Sequence, residues 1–65
     1  MSKVDLIDSL SDIKQQIIYF QETEMYEHSR SLTDDEFYDV MKLTQAAYDS
    51  LVEAKDYLKD RLGDD

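Results

Sequence analysis

The chain lacks cysteine, proline and tryptophan, and it contains one glycine and one histidine. Without cysteine there is no disulfide framework, no thiolate nucleophile and no cysteine-ligated zinc site. A single glycine excludes the phosphate-binding loops of nucleotide-binding proteins, because these loops need several glycines. These absences exclude cysteine chemistry and glycine-rich phosphate binding, and we predict no cofactor.

Positive charge is also scarce, since 7 Lys and Arg residues stand against 16 Asp and Glu, for a formal net charge of -9. Phosphate backbones and anionic membrane surfaces repel such a chain, so direct binding to nucleic acid or to a membrane is disfavoured. The longest apolar run, residues 17–20, is far shorter than the roughly 20 residues that span a bilayer. The first residues include Asp5 and Asp8 and lack the pattern of a secretory signal. We therefore expect a cytoplasmic protein.

At 65 residues, the chain is long enough for one small domain. Below roughly 70–80 residues, one core rarely supplies more than about 3–5 kcal/mol, and a disulfide, a metal or association usually adds to it. Because disulfides are absent, we expect association with a second copy or with another protein.

What the chain does contain is helical periodicity. Neither Gly nor Pro interrupts residues 4–28, and apolar residues recur there at the 4-3-4-3 spacing that aligns them on one helix face. Ser2, followed three positions later by Asp5, resembles a capping box. These signals predict a first helix over about residues 3–28. Its seam consists of Leu6, Leu10, Ile13, Ile17 and Phe20.

The start of the second helix is the sharpest local signal. Thr33 and Glu36 have the spacing of a capping box, and Leu32 and Phe37 have that of a hydrophobic staple. Gly63 stands where a C-terminal cap is expected. We predict a turn at 29–33, a helix over about 34–62 and a tail at 63–65. The seam of this helix consists of Val40, Thr44, Ala47, Leu51, Ala54 and Leu58.

A connection this short folds two long helices back on each other. The predicted fold is all-α, with a single antiparallel hairpin domain over residues 1–65. Because two rods that touch along one seam cover only part of their apolar residues, the simplest closure is a homodimer that forms a four-helix bundle. The residues expected to keep water on one side are Ile7, Ile18, Met25, Met41 and Tyr48.

Carboxylates recur along both predicted helices at intervals of three and four residues. Like charges at these intervals destabilise a helix by about 0.2–0.5 kcal/mol per pair, which makes the rows candidates for partner binding. The simpler alternative is that they only keep the protein soluble. The first ladder is Asp5, Asp8 and Asp12, and the second ladder is Asp49, Glu53, Asp56 and Asp60.

Catalytic groups are few. His28 and Glu24 have a spacing that could share a metal ion, but two ligands do not make a zinc site, and we predict neither a metal site nor an enzyme. Tyrosine is frequent at protein interfaces, because it combines a large rigid ring with a polar tip. Tyr19, Glu22 and Tyr26 are therefore the best candidates for an aromatic binding patch.

Leu32, Asp35, Glu36, Asp39 and Val40 around the turn, with residues 63–65 at the end, give the chain a resemblance to the Rop-type plasmid copy-number proteins. That resemblance implies a dimeric four-helix bundle that binds RNA loops through basic and aromatic residues of its first helix.

The charge pattern itself favours a different function. The leading hypothesis is a regulatory module that binds a protein partner through an acidic, tyrosine-rich surface. The alternative is a nucleic-acid mimic of the phage or mobile-element type, which inhibits a nucleic-acid-binding protein by occupying its basic groove. Rop-like RNA binding is the third hypothesis.

Overall fold

The computed structural model describes residues 2–62, which form two helical arms. The first arm is α-helical over Lys3–Tyr19, π-helical over Phe20–Glu24 and α-helical again over Met25–Glu27. In the π-helical segment the hydrogen bonds span five residues instead of four, and the Met25 N–H accordingly bonds to the Phe20 carbonyl.

A short connection leads to the second arm. Ser29–Ser31 forms a 3-10 turn, and the second arm is one α-helix over Asp34–Asp60. Residues 2–62 contain no strand. The predicted all-α class is confirmed, and the arms form a helical hairpin.

Both arms begin with side-chain caps. Ser2 Oγ accepts a hydrogen bond from the Asp5 N–H at 3.2 Å. Thr33 Oγ1 accepts from the Glu36 N–H at 3.1 Å, and Glu36 Oε1 accepts from the Thr33 N–H at 2.9 Å. These bonds satisfy backbone donors that have no partner inside the helix, so they fix where each arm starts. The predicted C-cap, Gly63, lies outside the described residues.

Polar contacts between the arms define their antiparallel register. Lys3 Nζ donates to the Arg61 backbone carbonyl at 2.8 Å near the free ends of the hairpin. Nearer the turn, Gln21 Nε2 donates to Thr44 Oγ1 at 2.9 Å. The residue numbers of these two pairs add to 64 and 65, so the register near the turn is close to that at the free ends.

The interior of the hairpin is small. Ile7 and Met25 are the buried apolar side chains of the described residues, with exposed fractions of 9% and 3%. The prediction that these two would keep water on one side is wrong, because their side chains lie between the arms. Ile18, Met41 and Tyr48 are half-buried.

Eight of the eleven predicted seam residues are half-buried and three are exposed, so the seams face the other arm only in part. Leu6 and Ile13 remain 40% and 43% exposed, and Ala47 is exposed. At 3.6 residues per turn, each seam is rotated by roughly 60–80° from the line along which the arms touch. The apolar stripe of each arm is wide, and the other arm packs against one edge of it.

Because the arms are antiparallel, the two predicted seams are both displaced toward the same broad side of the hairpin. Ile13, Ile17 and Phe20 of the first arm line a shallow groove of about 240 Å³ together with Thr44 of the second arm. The two predicted seams therefore form one surface, which we term the apolar face. It comprises Leu6, Leu10, Ile13, Ile17, Phe20, Val40, Thr44, Ala47, Leu51, Ala54 and Leu58.

Candidate protein-interaction surfaces

The second ladder lies along an uninterrupted α-helix. Asp49, Glu53, Asp56 and Asp60 are all exposed, and Gln45 Nε2 donates a hydrogen bond to Asp49 Oδ1 at 3.2 Å. At about 1.5 Å per residue, this ladder presents one carboxylate per roughly 5.5 Å. A single DNA strand presents one phosphate per about 3.4 Å, so the ladder is an anionic row of somewhat lower density.

The first ladder occupies the other long edge of the hairpin. Asp5, Asp8 and Asp12 are exposed, and Asp5 Oδ2 also accepts a hydrogen bond from the Ser2 N–H at 3.4 Å. Members of both ladders also lie near the opposite arm. Asp49 lines a groove of about 500 Å³ with Gln21 of the first arm, and Asp8 is close enough to act on the pKa of Lys55 of the second arm.

Three of the basic residues make contacts within the hairpin. Lys14 Nζ lies 5.1 Å from the centre of the Tyr48 ring, a cation–π contact between the arms. The Arg61 guanidinium lies 3.6 Å from the centre of the Tyr57 ring. Lys3 binds the carbonyl of Arg61 across the free ends. These contacts hold three cations at positions set by the fold.

Lys55 is half-buried on the side of the second arm that faces the first. Its partial burial, with the positive charges of Lys14 and Lys59, lowers the pKa of Lys55. The carboxylates of Asp56 and Asp8 act in the opposite direction on that pKa. The lowered pKa means that this site disfavours the charged form of the Lys55 side chain.

The line of contact between the arms is thus partly polar, and of its polar residues the seam prediction included only Thr44. It carries Lys14 and Gln21 on the first arm and Thr44 and Lys55 on the second. The spacing of seven residues from Ile7 through Lys14 to Gln21 is a sequence signal that could have located this line. A search for apolar residues alone passes over it.

The π-helical segment separates the two tyrosines of the predicted aromatic patch. A turn with one additional residue rotates everything after it by about 100° relative to a continuous α-helix. Tyr19 precedes this segment and lines an open groove of about 490 Å³ with Gln15 and Glu24. Tyr26 follows it, and its ring centre lies 5.6 Å from that of Phe37 at the base of the second arm.

Tyr19 and Tyr26 are 57% and 62% exposed, and Glu22 is exposed between them. All three side chains are accessible, but the structure gives the two rings different surroundings. The seven-residue spacing that suggested a common face holds for an α-helix and does not hold across the π-helical segment.

His28 is exposed at the end of the first arm, and its backbone N–H donates to the Glu24 carbonyl at 3.1 Å. Within residues 2–62, no group of three or more His, Asp or Glu side chains could hold a metal ion. In the same residues, no helix has the length and apolar character to cross a bilayer. Comparisons of the chain with protein-family models, with curated proteins and with solved structures give no match.

Proposed function

We propose that the protein is a non-enzymatic regulatory module that binds a protein partner carrying a basic surface. The observation that supports this function is the exposure of all seven ladder carboxylates, while Lys3, Lys14 and Arg61 are held in contacts of the hairpin itself. Rows of like charge weaken a helix, and a basic partner would offset that repulsion. Tyr19 and Tyr26 would add aromatic contacts at two separate positions on the first arm.

The binding form that we propose is a homodimer, in which two apolar faces pack together into a four-helix bundle. The hairpin measures 49 by 16 Å across its broad side, so one face offers roughly 800 Å², the area that each protein of a standard interface buries. A chain whose own interior buries only Ile7 and Met25 among the described residues gains most of its apolar burial from such packing.

Charge reversal tests the ladder. The variant Asp49→Lys/Asp56→Lys alters exposed positions of the second ladder, and Glu27→Lys/Asp39→Lys changes the net charge equally at exposed positions elsewhere. Proteins captured by the immobilised chain are identified at low and at high salt. We expect a partner that the wild type and the control retain, that the ladder variant loses and that salt releases. Equal capture by the two variants would contradict the proposal.

The second candidate function is nucleic-acid mimicry, which the straight, unbroken row of the second ladder favours. The captured partner would then bind DNA or RNA in its free state, and the wild-type chain would displace that nucleic acid. The ladder variant would fail to displace it. A gel shift of structured RNA by the purified chain alone would instead favour Rop-like RNA binding.

The dimer is tested separately. Ile13→Glu places a charge on the apolar face, whereas Tyr38→Glu places one at a 65% exposed residue that lines the groove on the opposite side. Sedimentation equilibrium is expected to give a dimer for the wild type and for Tyr38→Glu, and a monomer for Ile13→Glu. A wild-type mass of 7.7 kDa at micromolar concentration would remove the dimer.

A further inference from the structure

We infer that the two hairpins pair with their turns at the same end, so that the first arm of each copy lies on the second arm of the other. This inference rests on the proposed dimer and specifies its arrangement. Two symmetric arrangements of the apolar faces are available, because the twofold axis can run along the arms or across them. Only the axis along the arms brings the turns together.

The apolar face is built in rows, because the register of the arms pairs positions whose numbers add to 64. Two of these rows combine a large side chain with an alanine. Extended along the arms, this register sets Leu10 level with Ala54 and Ile17 level with Ala47. In both rows the large residue belongs to the first arm and the alanine to the second arm.

With the axis along the arms, each row packs against the same row of the partner copy, and the order of the two side chains is reversed. Leu10 then packs on the partner copy's Ala54, and Ile17 on its Ala47, so that large and small side chains alternate through the core. Such alternation fills a bundle without cavities at an even spacing between helices.

With the axis across the arms, the same residues meet in unequal combinations. Leu10 would pack on the partner copy's Ile17, and Ala54 on its Ala47. Because helix spacing follows the size of the side chains in contact, the first arms would be pushed apart while the second arms drew together. The rows of the apolar face, which each combine a large side chain with an alanine, therefore argue against this arrangement.

A single spin label distinguishes the arrangements, since the chain has no cysteine of its own. Arg30→Cys places a nitroxide at an exposed residue of the connection, and Ser50→Cys places one at an exposed residue near mid-length as a control. Turns at the same end put the two labels at residue 30 less than about 25 Å apart, given helix spacings of about 8–10 Å. Turns at opposite ends put them roughly 50 Å apart, given about 1.5 Å per residue from the middle of the face.

Pulsed dipolar EPR on the labelled protein, with sedimentation on the same sample, tests the arrangement and the dimer separately. A dimer with a short distance at residue 30 supports the arrangement, and Ser50 gives a short distance in either case. A dimer with a distance near 50 Å overturns the arrangement and leaves the dimer standing. A monomer overturns both. His28→Cys, another exposed site near the turn, repeats the measurement if circular dichroism shows that Arg30→Cys loses helix.

Discussion

Removal of the cap at the start of the second arm offers the most direct test of how the sequence specifies this hairpin. In the variant Thr33→Ala, the Glu36 N–H loses its 3.1 Å bond to the hydroxyl, while the Thr33 backbone N–H keeps its 2.9 Å bond to the Glu36 carboxylate. One of the two reciprocal bonds is therefore lost. Loss of an N-cap side chain typically costs about 1 kcal/mol, and in a domain of this size that lowers Tm by roughly 4–8 °C.

The assay is thermal denaturation followed by circular dichroism, at one fixed protein concentration, because association shifts Tm. Thr33→Ser keeps the hydroxyl and serves as the matched control, with a Tm close to that of the wild type. If Thr33→Ala and Thr33→Ser melted within about 1 °C of each other, the cap would contribute nothing measurable and the reasoning would fail.

The same cap predicts a dependence on pH. Hydrogen bonds from the Thr33 backbone N–H and side chain lower the pKa of Glu36 below its ordinary value. A carboxylate with a lowered pKa stabilises the fold above its unfolded-state pKa, and this contribution is lost as the pH falls through the folded-state pKa. The Tm difference between wild type and Glu36→Gln should therefore be largest at neutral pH and shrink on acidification. A difference that grew as the pH fell would contradict the assignment.

Three further outcomes follow from the contacts between the arms and from the charge. Lys55→Met should raise Tm at neutral pH, because it removes an ammonium whose pKa is lowered by partial burial and neighbouring lysines, and the gain should shrink as the pH rises through that pKa and the wild-type amine becomes neutral. Gln21→Ala should cost about 1 kcal/mol of unfolding free energy in urea denaturation, since it removes the hydrogen bond to Thr44. Salt should strengthen the dimer by screening two chains of charge -9, while it weakens binding to a basic partner; sedimentation and binding isotherms at two salt concentrations measure the two opposite trends.

The local features of the fold could be predicted from the sequence because they depend on a few neighbouring residues. Thr33 and Glu36 define the start of the second arm through bonds within one turn. The apolar spacing likewise predicts which residues belong to the broad stripes. The side of each stripe that faces the other arm could not be predicted, because it is a competition between arrangements that bury similar apolar area.

The candidate surfaces also include features that could be predicted from the sequence and features that could not. Exposure of the ladders follows from charge and helical spacing, and every ladder residue is exposed. The relation between Tyr19 and Tyr26 could not be predicted, because no residue type signals the π-helical segment at Phe20–Glu24. The contacts of Lys14 and Lys55 were missed because lysine at a helix–helix contact contradicts the rule by which seams are chosen.

The hydrogen bond between Gln21 and Thr44 has a consequence for misfolding. The two rows that combine a large aliphatic residue with an alanine are seven residues apart. A slip of one arm by seven residues would therefore still place apolar side chains opposite one another. The same slip would move Gln21 opposite Phe37 or Leu51, neither of which offers a side-chain acceptor. Gln21 is half-buried, so the loss of this hydrogen bond costs about 1 kcal/mol, which is enough to make the shifted hairpin a minor species. This polar pair, rather than the apolar rows, is what distinguishes the correct alignment of the arms from its nearest competitors.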